Sequence, residues 1–209
     1  MRVLHADAGL LVLDKPAGML SVPGRGADKQ DCLSRRVQQL YPDACIVHRL
    51  DMATSGLMLM ARGASAQSLL GRAFAERRVH KRYQAVVHGQ PDAAPGRWST
   101  IDLPIAVDWP NRPRRSIDTQ TGKPSLTRWR VLGPAGDGWT RLELEPVTGR
   151  SHQLRVHLQA IGHAIVGDAL YGHTATPIDA ARLLLHATWI GFDHPLNGAA
   201  LQFASPAPF

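Results

Sequence analysis

Short β-prone runs that arrive in blocks, broken by glycine and proline and interrupted by few helical segments, are what most restrict the fold of this chain. "RVL" and "GLLVLD" flank "HADA" and read as a hairpin or two successive edge strands. "GLMLMA" reads as a buried strand, and "YQAVVHG" as another, ended by Gly89 and Pro91. "SLTRWRVLG" and "WTRLELEPV" alternate as antiparallel partners across a Gly-Pro-Ala-Gly-Asp-Gly turn, and "LLLHATWIGF" and "ALQFA" return to strand near the carboxyl end. Three segments have helical spacing. In the first, Asp31 is the expected cap for Leu33, Val37 and Leu40, with Pro42 just beyond. In the second, Ser65 caps "AQSLLGRAFAERR", whose apolar side is Leu69, Leu70 and Phe74. In the third, Ser151 caps "SHQLRVHLQAIG", with Leu154, Leu158 and Ile161 on one stripe and Gly162 at C′. "TIDLPIAVDWPNRPRRSIDTQTGKP" reads as a strand followed by a long, basic surface excursion. The pattern predicts an α+β fold: a mixed, mainly antiparallel sheet flanked by helices and loops. At 209 residues, with no internal repeat and no linker, residues 1–209 are expected to form a single domain.

Charge narrows the class of partner. The chain carries 24 Lys plus Arg against 17 Asp plus Glu, a formal +7, and its pI of about 10.1 fits a polyanionic partner. Arginine dominates the basic runs: Arg35 and Arg36, "ERRVHKR" from Glu76 to Arg82, and "NRPRR" from Asn111 to Arg115. Its planar fork suits phosphate and stacks on bases, although solvated faces would carry the same runs. Two cysteines, Cys32 and Cys45, make neither a zinc pattern nor a disulfide framework, so a reducing cytoplasm is the expected compartment. His5, Asp7 and Asp14 break the amino terminus before a signal-peptide core can form, and no apolar run approaches the ~18 residues of a membrane span. No membrane association is expected.

The chemistry-bearing candidate is Asp51 in "HRLDMATSGLMLMAR", between Arg49 and a buried apolar run. Such a carboxylate is either a nucleophile held at the edge of a core or an Asx-turn residue that satisfies backbone amides, and the residues alone favour the second. The ten histidines do not form a metal pattern. His152 and His157 stand about 140° apart on a helix, not at the i, i+4 spacing that zinc enzymes use, and no metal is expected. "VPGRGADKQ" lacks the Gly-Lys-Ser/Thr of a phosphate loop.

Beyond these patterns, "HRLDMATSG" resembles the His-Arg-Leu-Asp-x-x-Thr-Ser-Gly signature of the RluA-type pseudouridine synthases. "KRYQAVVHG" resembles that family's Lys-x-Tyr motif, "VTGRSHQLRVHLQAIGHAIVGD" its Gly-Arg-x-His-Gln-x-Arg-x-His segment, and "LLLHA" its late Leu-His-Ala strand. The four stand in the family's order over nearly the whole chain. "LSVPGR", "DWPNRP" and "TGKP" resemble the dual-specificity RluA subgroup, which acts on 23S rRNA and tRNA and lacks the S4-like RNA-binding domain of many relatives. Ala164 departs from the family, which usually has proline there.

The resemblance implies isomerisation of uridine to pseudouridine in RNA stem-loops by a monomer, with no cofactor and no metal. Asp51 would be the nucleophile, at C1′ or at C6. Tyr83 would stack on the flipped base, and Arg155 would be the partner that keeps Asp51 ionised and aimed. Arg49 would fill the space left by the everted base, and Arg114 and Arg115 are expected to touch phosphate. Taken singly, Tyr83 also fits a half-buried strand aromatic and Arg155 a solvated helix arginine. Two other readings stay in view: a catalytically inactive RNA-binding or assembly factor on the same fold, and a glycosidase-type hydrolase whose second carboxylate could be Asp168.

Overall fold

A computed structural model of the protein describes residues 1–136, 138–172 and 180–209. In chain order, β1 (Arg2–Ala6), β2 (Leu10–Lys15), α1 (Leu33–Leu40), β3 (Ala44–Ile46), β4 (Ser55–Arg62) and α2 (Gly63–Ala75) precede β5 (His80–His88) and β6 (Ser99–Asp102). Then follow β7 (Ile105–Val107), β8 (Arg115–Ile117), β9 (Leu126–Pro134), β10 (Trp139–Pro146), α3 (Gln153–Ala160), β11 (Leu185–Asp193) and β12 (Ala200–Ala204). Within the expected 1–209 span, contacts cluster into two compact units, Met1–Lys81 with His186–Pro208, and Arg82–Leu185 with Phe209.

In the first unit β1 and β2 form the expected hairpin. Asp7 closes it by accepting the amides of Gly9 and Leu10 at 2.7 and 2.9 Å, which is why "HADA" turns. β4 is the hub: antiparallel to β2 and β3, and parallel to β11 where His186 lies beside Ser55 and Ala187 beside Gly56. β12 adds to β11 antiparallel, so the sheet is mixed. All of β4 except Arg62 is buried, which explains a continuous apolar run in place of alternation.

Both helix caps of the first unit differ from expectation. Cys32, not Asp31, occupies the N-cap of α1, and Asp31 instead accepts Arg36 Nε at 2.7 Å. Leu33 and Val37 are buried, but Leu40 is 65% exposed, because an eight-residue helix buries only its first turns here. α2 begins at Gly63, so Ser65 lies inside it; the Asp43 carbonyl accepts the Gly63 amide at 2.9 Å in place of a hydroxyl cap. Its buried side is Ala66, Leu70 and Ala73, with Leu69 turned outward.

In the second unit β5, β10, β9 and β6 are antiparallel neighbours in that order. Asp137, within the expected turn between β9 and β10, lies outside the described residues. The predicted basic excursion is partly ordered, since β7 and β8 pair as a hairpin around "DWPNRPR". α3 packs on β8, β9 and β10. Ser151 does not cap it. His152 precedes the helix at φ 58°, and the Gln153 side chain takes over the polar work: its Oε1 accepts Arg150 N–H at 3.0 Å, and its Nε2 donates to the Leu126 carbonyl at 3.0 Å. Gln153 to Leu158 are all buried, polar members included. Among the described residues no helix is long and apolar enough to cross a membrane.

Gly56 is the tightest point of the first sheet. Its φ is +108°, and a Cβ there would sit 2.4 Å from the Ala187 carbonyl oxygen and 2.6 Å from the Ala187 nitrogen. Gly56→Ala therefore combines a disfavoured backbone with a clash against main chain, and should lower the unfolding free energy by about 3 kcal/mol or more. Urea denaturation checks this; a loss below about 1 kcal/mol would mean that β4 and β11 part freely.

Candidate active site

Asp51 sits half-buried on the turn that leads into β4. Ahead of it, buried Leu50 is held twice by Ser21: the hydroxyl donates to the Leu50 carbonyl at 2.7 Å and accepts the Leu50 amide at 3.1 Å. Behind it, the Met52 carbonyl accepts Gly18 N–H at 2.9 Å and the Lys15 ammonium at 3.1 Å. Lys15 is fully buried and also donates to the Pro16 and Met19 carbonyls at 2.9 and 2.8 Å. The Thr54 amide closes onto the Asp51 carbonyl at 3.1 Å. The carboxylate is thus mounted on main chain that is pinned on both sides.

Beneath the turn runs a buried polar line. The Ser55 hydroxyl meets His186 Nδ1 at 2.7 Å, His186 Nε2 meets the Ser205 hydroxyl at 3.2 Å, and Ser205 donates to Asp14 Oδ2 at 3.0 Å. The hydroxyl-rich turn was visible in the sequence; Lys15, His186 and Ser205 as its supports were not. "LDKP" and "LLLHA" were the available signals, since a lysine inside an apolar strand and a histidine inside another must each find partners.

His48 braces the same segment from the other side. Its Nε2 accepts the Leu59 amide at 2.9 Å and its ring stacks on Phe74 with centroids 4.5 Å apart. Burial, helped by the nearby Lys81 cation, pushes its pKa down to about 3, so the ring is neutral and suited to accept. Lys81, itself lowered by burial, lies 5.8 Å from the Phe74 ring centroid. Arg49 is exposed.

In the second unit Tyr83 is buried on β5, opposite Leu144 of β10. Arg155, on α3, is not solvated: its Nε and Nη2 donate to Asp168 Oδ2 and Oδ1, both at 2.7 Å. Asp168 Oδ1 also accepts the amides of Leu170 and Tyr171 at 2.9 and 3.1 Å. A carboxylate so enclosed, its side chain 0% exposed, is a structural anchor and cannot serve as the second acid of a hydrolase.

Tyr171 gathers the basic residues of this unit. The Arg155 and Arg114 guanidinium carbons lie 5.0 and 5.6 Å from its ring centroid. Its hydroxyl accepts the Arg115 amide at 2.7 Å and meets His152 Nδ1 at 2.7 Å. The sequence singles out Arg155 by motif and, separately, Arg114 and Arg115 as a basic run; Tyr171, carried by "GDALY" directly after the matched segment, escapes it. The β7–β8 loop presents Trp109, 67% exposed, with the Arg112 guanidinium 3.4 Å from its ring centroid.

Residues 9–160 match the family model described as RNA pseudouridylate synthase. The chain is 45% identical over 207 residues to the dual-specificity RNA pseudouridine synthase RluA of Escherichia coli K12, covering 99% of this chain and 93% of that protein. Identity to the protein of the same name from Yersinia pestis is 45% over 209 residues, the full length of both. Among solved structures, human RNA pseudouridylate synthase domain containing 1 superposes with a TM-score of 0.81 at 31% identity, covering 99% of this chain and 83% of that one.

His48 makes a pH prediction. Folded, it takes up a proton only near pH 3; in the unfolded chain it does so near 6.5. Between these values the unfolded state binds the extra proton, so the stability that His48 contributes is complete above about pH 6.5 and declines as pH falls, by up to about 1.4 kcal/mol per pH unit. His48→Gln keeps an acceptor for the Leu59 amide and should remove one proton from the slope of unfolding free energy against pH between 6.5 and 4. An unchanged slope in urea melts contradicts this.

Proposed function

The chain belongs to the RNA pseudouridylate synthase family, and from that membership we propose that it isomerises specific uridines in 23S rRNA and in a tRNA anticodon stem-loop, with Asp51 as the nucleophile. The reaction breaks the N1–C1′ bond, turns the uracil, forms C5–C1′, removes the C5 proton and returns a proton to N1. Nothing is added and there is no net oxidation, so the reading includes neither metal nor cofactor. It includes a monomer working in the cytoplasm.

The observation that carries the reading is the mounting of Asp51. A nucleophile that must meet one carbon of an everted base needs a fixed main chain and partial removal from water. The Ser21, Gly18 and Lys15 bonds on either side of Asp51 supply the first, and its half-burial the second. Attack at C1′ and attack at C6 both use the same carboxylate. Arg155, by the family pattern, keeps Asp51 charged and aimed; in support, its guanidinium is held in one direction by Asp168. Tyr83, by the same pattern, stacks on the uracil, and its strand setting between paired residues gives it a rigid base. Arg49, exposed beside the turn, is assigned to the gap left in the RNA, where opening costs a few kcal/mol and least in a loop. Arg114 and Arg115 are assigned to phosphate.

Tritium release from stem-loop RNA labelled at uracil C5 tests the nucleophile. Wild type should release tritium, while Asp51→Asn should lose on the order of 10⁴-fold or more in rate and still bind RNA. Release by the variant at the wild-type rate would overturn the assignment. Replacing Arg114 and Arg115 together by Gln should raise KM with little change in kcat and reduce the slope of log KM against log salt by about 1.5. A kcat defect with an unchanged salt slope would remove both residues from the phosphate contacts.

A further inference from the structure

The run "ERRVHKR" has a part that the proposed chemistry leaves unused. Arg77, Arg78 and His80 are exposed and, with Trp189, Gly191 and Gln202, line an open groove of about 510 Å³ within the first unit. β11 runs parallel to β4 from the level of Ser55, so Trp189 to Asp193 lead away from the Asp51 turn. At ~3.3 Å per residue, the groove spans from about 10 to about 23 Å beyond that level along the strand. It is a separate site, away from the turn that carries Asp51.

Three features give it a chemistry. First, Trp189 and Gly191 share a face of β11, and a Cβ on Gly191 would meet the Trp189 six-membered ring at 2.4 Å, so the glycine makes room for an indole laid along the strand. Secondly, Arg77 closes α2 at φ 60°, with Arg77 N–H bonded to the Phe74 carbonyl at 3.2 Å and Arg78 N–H to Ala73 at 2.9 Å. That left-handed position normally takes glycine, and an arginine kept there against its backbone preference points to a use for its charge. Thirdly, Gln202 lies opposite Gly191 on β12 and brings an exposed amide, both donor and acceptor, to the same place. The acidic groups nearby are Asp193, at the end of the groove, and Glu76, which is paired with Arg78 at 2.9 Å from Nε.

An aromatic floor, guanidinium groups at the rim and an amide within one open groove match a nucleotide of a single strand: base on indole, phosphate on arginine, base edge on amide. An acidic peptide would use the arginines but not the aromatic floor. We propose that this groove is an accessory binding site for unpaired nucleotides that flank the target stem-loop. The proposal rests on the RNA-modifying reading above and extends the footprint of the substrate beyond the modified loop.

The test compares two C5-tritiated RNAs, the minimal stem-loop and the same stem-loop with an unpaired extension on its 5′ or 3′ side. Wild type should show a KM about tenfold lower for one of the extended RNAs. Arg77→Gly combined with Arg78→Gln removes the charges while suiting the left-handed backbone, so misfolding is not its failure mode. It should abolish that advantage and leave KM and kcat on the minimal stem-loop unchanged. Trp189→Leu should do the same, and 5-iodouridine in the extension should photocross-link to the Trp189 peptide. Equal wild-type KM for minimal and extended RNAs, an advantage that survives the Arg77→Gly, Arg78→Gln change, or groove binding of a polyglutamate peptide in place of RNA would each overturn the proposal. Binding measured with Asp51→Asn repeats the comparison without turnover. A failed groove then leaves catalysis on the minimal stem-loop intact, and a failed catalytic reading leaves extension-dependent affinity intact.

Discussion

The ammonium group of Lys15 is the point on which the first unit turns. A fully buried cation is tolerable only when polar atoms surround it, and here the carbonyls of Pro16, Met19 and Met52 do so. Two of them belong to the glycine-rich loop after β2 and the third to the residue next to Asp51. One charge thereby joins a segment that has almost no secondary structure of its own to the turn that carries the carboxylate. Ser21 repeats the arrangement one residue before Asp51, with a hydroxyl in place of an ammonium.

The second unit solves a similar problem with a different pair. Arg155 and Asp168 bury opposite charges in bidentate contact, and leaving either alone in such surroundings costs about 3–5 kcal/mol. The pair holds one direction of the guanidinium and, through the amides of Leu170 and Tyr171, the segment that supplies Tyr171. Around that ring the chain assembles Arg114, Arg115 and His152 from stretches distant in sequence.

Strand positions were legible because their determinants are local: the buried run of β4, the alternation of β9 and β10, the Asx turn at Asp7. The helix caps were not. Asp31, Ser65 and Ser151 have the right side chains at plausible places, yet Arg36 takes the first, the Asp43 carbonyl displaces the second, and Gln153 does the work of the third. Each competitor arrives through tertiary packing that a one-dimensional pattern does not contain. The same holds at the site. Motif likeness alone singles out Asp51, Tyr83 and Arg155 as candidates, whereas Lys15, His186, Asp168 and Tyr171 reveal their parts only through partners brought in by the fold.

The contact of Gly56 with Ala187, and of Ser55 with His186 across 131 residues of sequence, bears on the order of events during synthesis. The turn bearing Asp51 is made well before the strand against which it is seated, which follows some 131 residues later. Non-local pairings of this kind form late because the intervening loop must close first. A nascent chain halted before residue 186 would own the whole signature motif and still lack the wall it leans on, so the turn is seated only once β11 has been made.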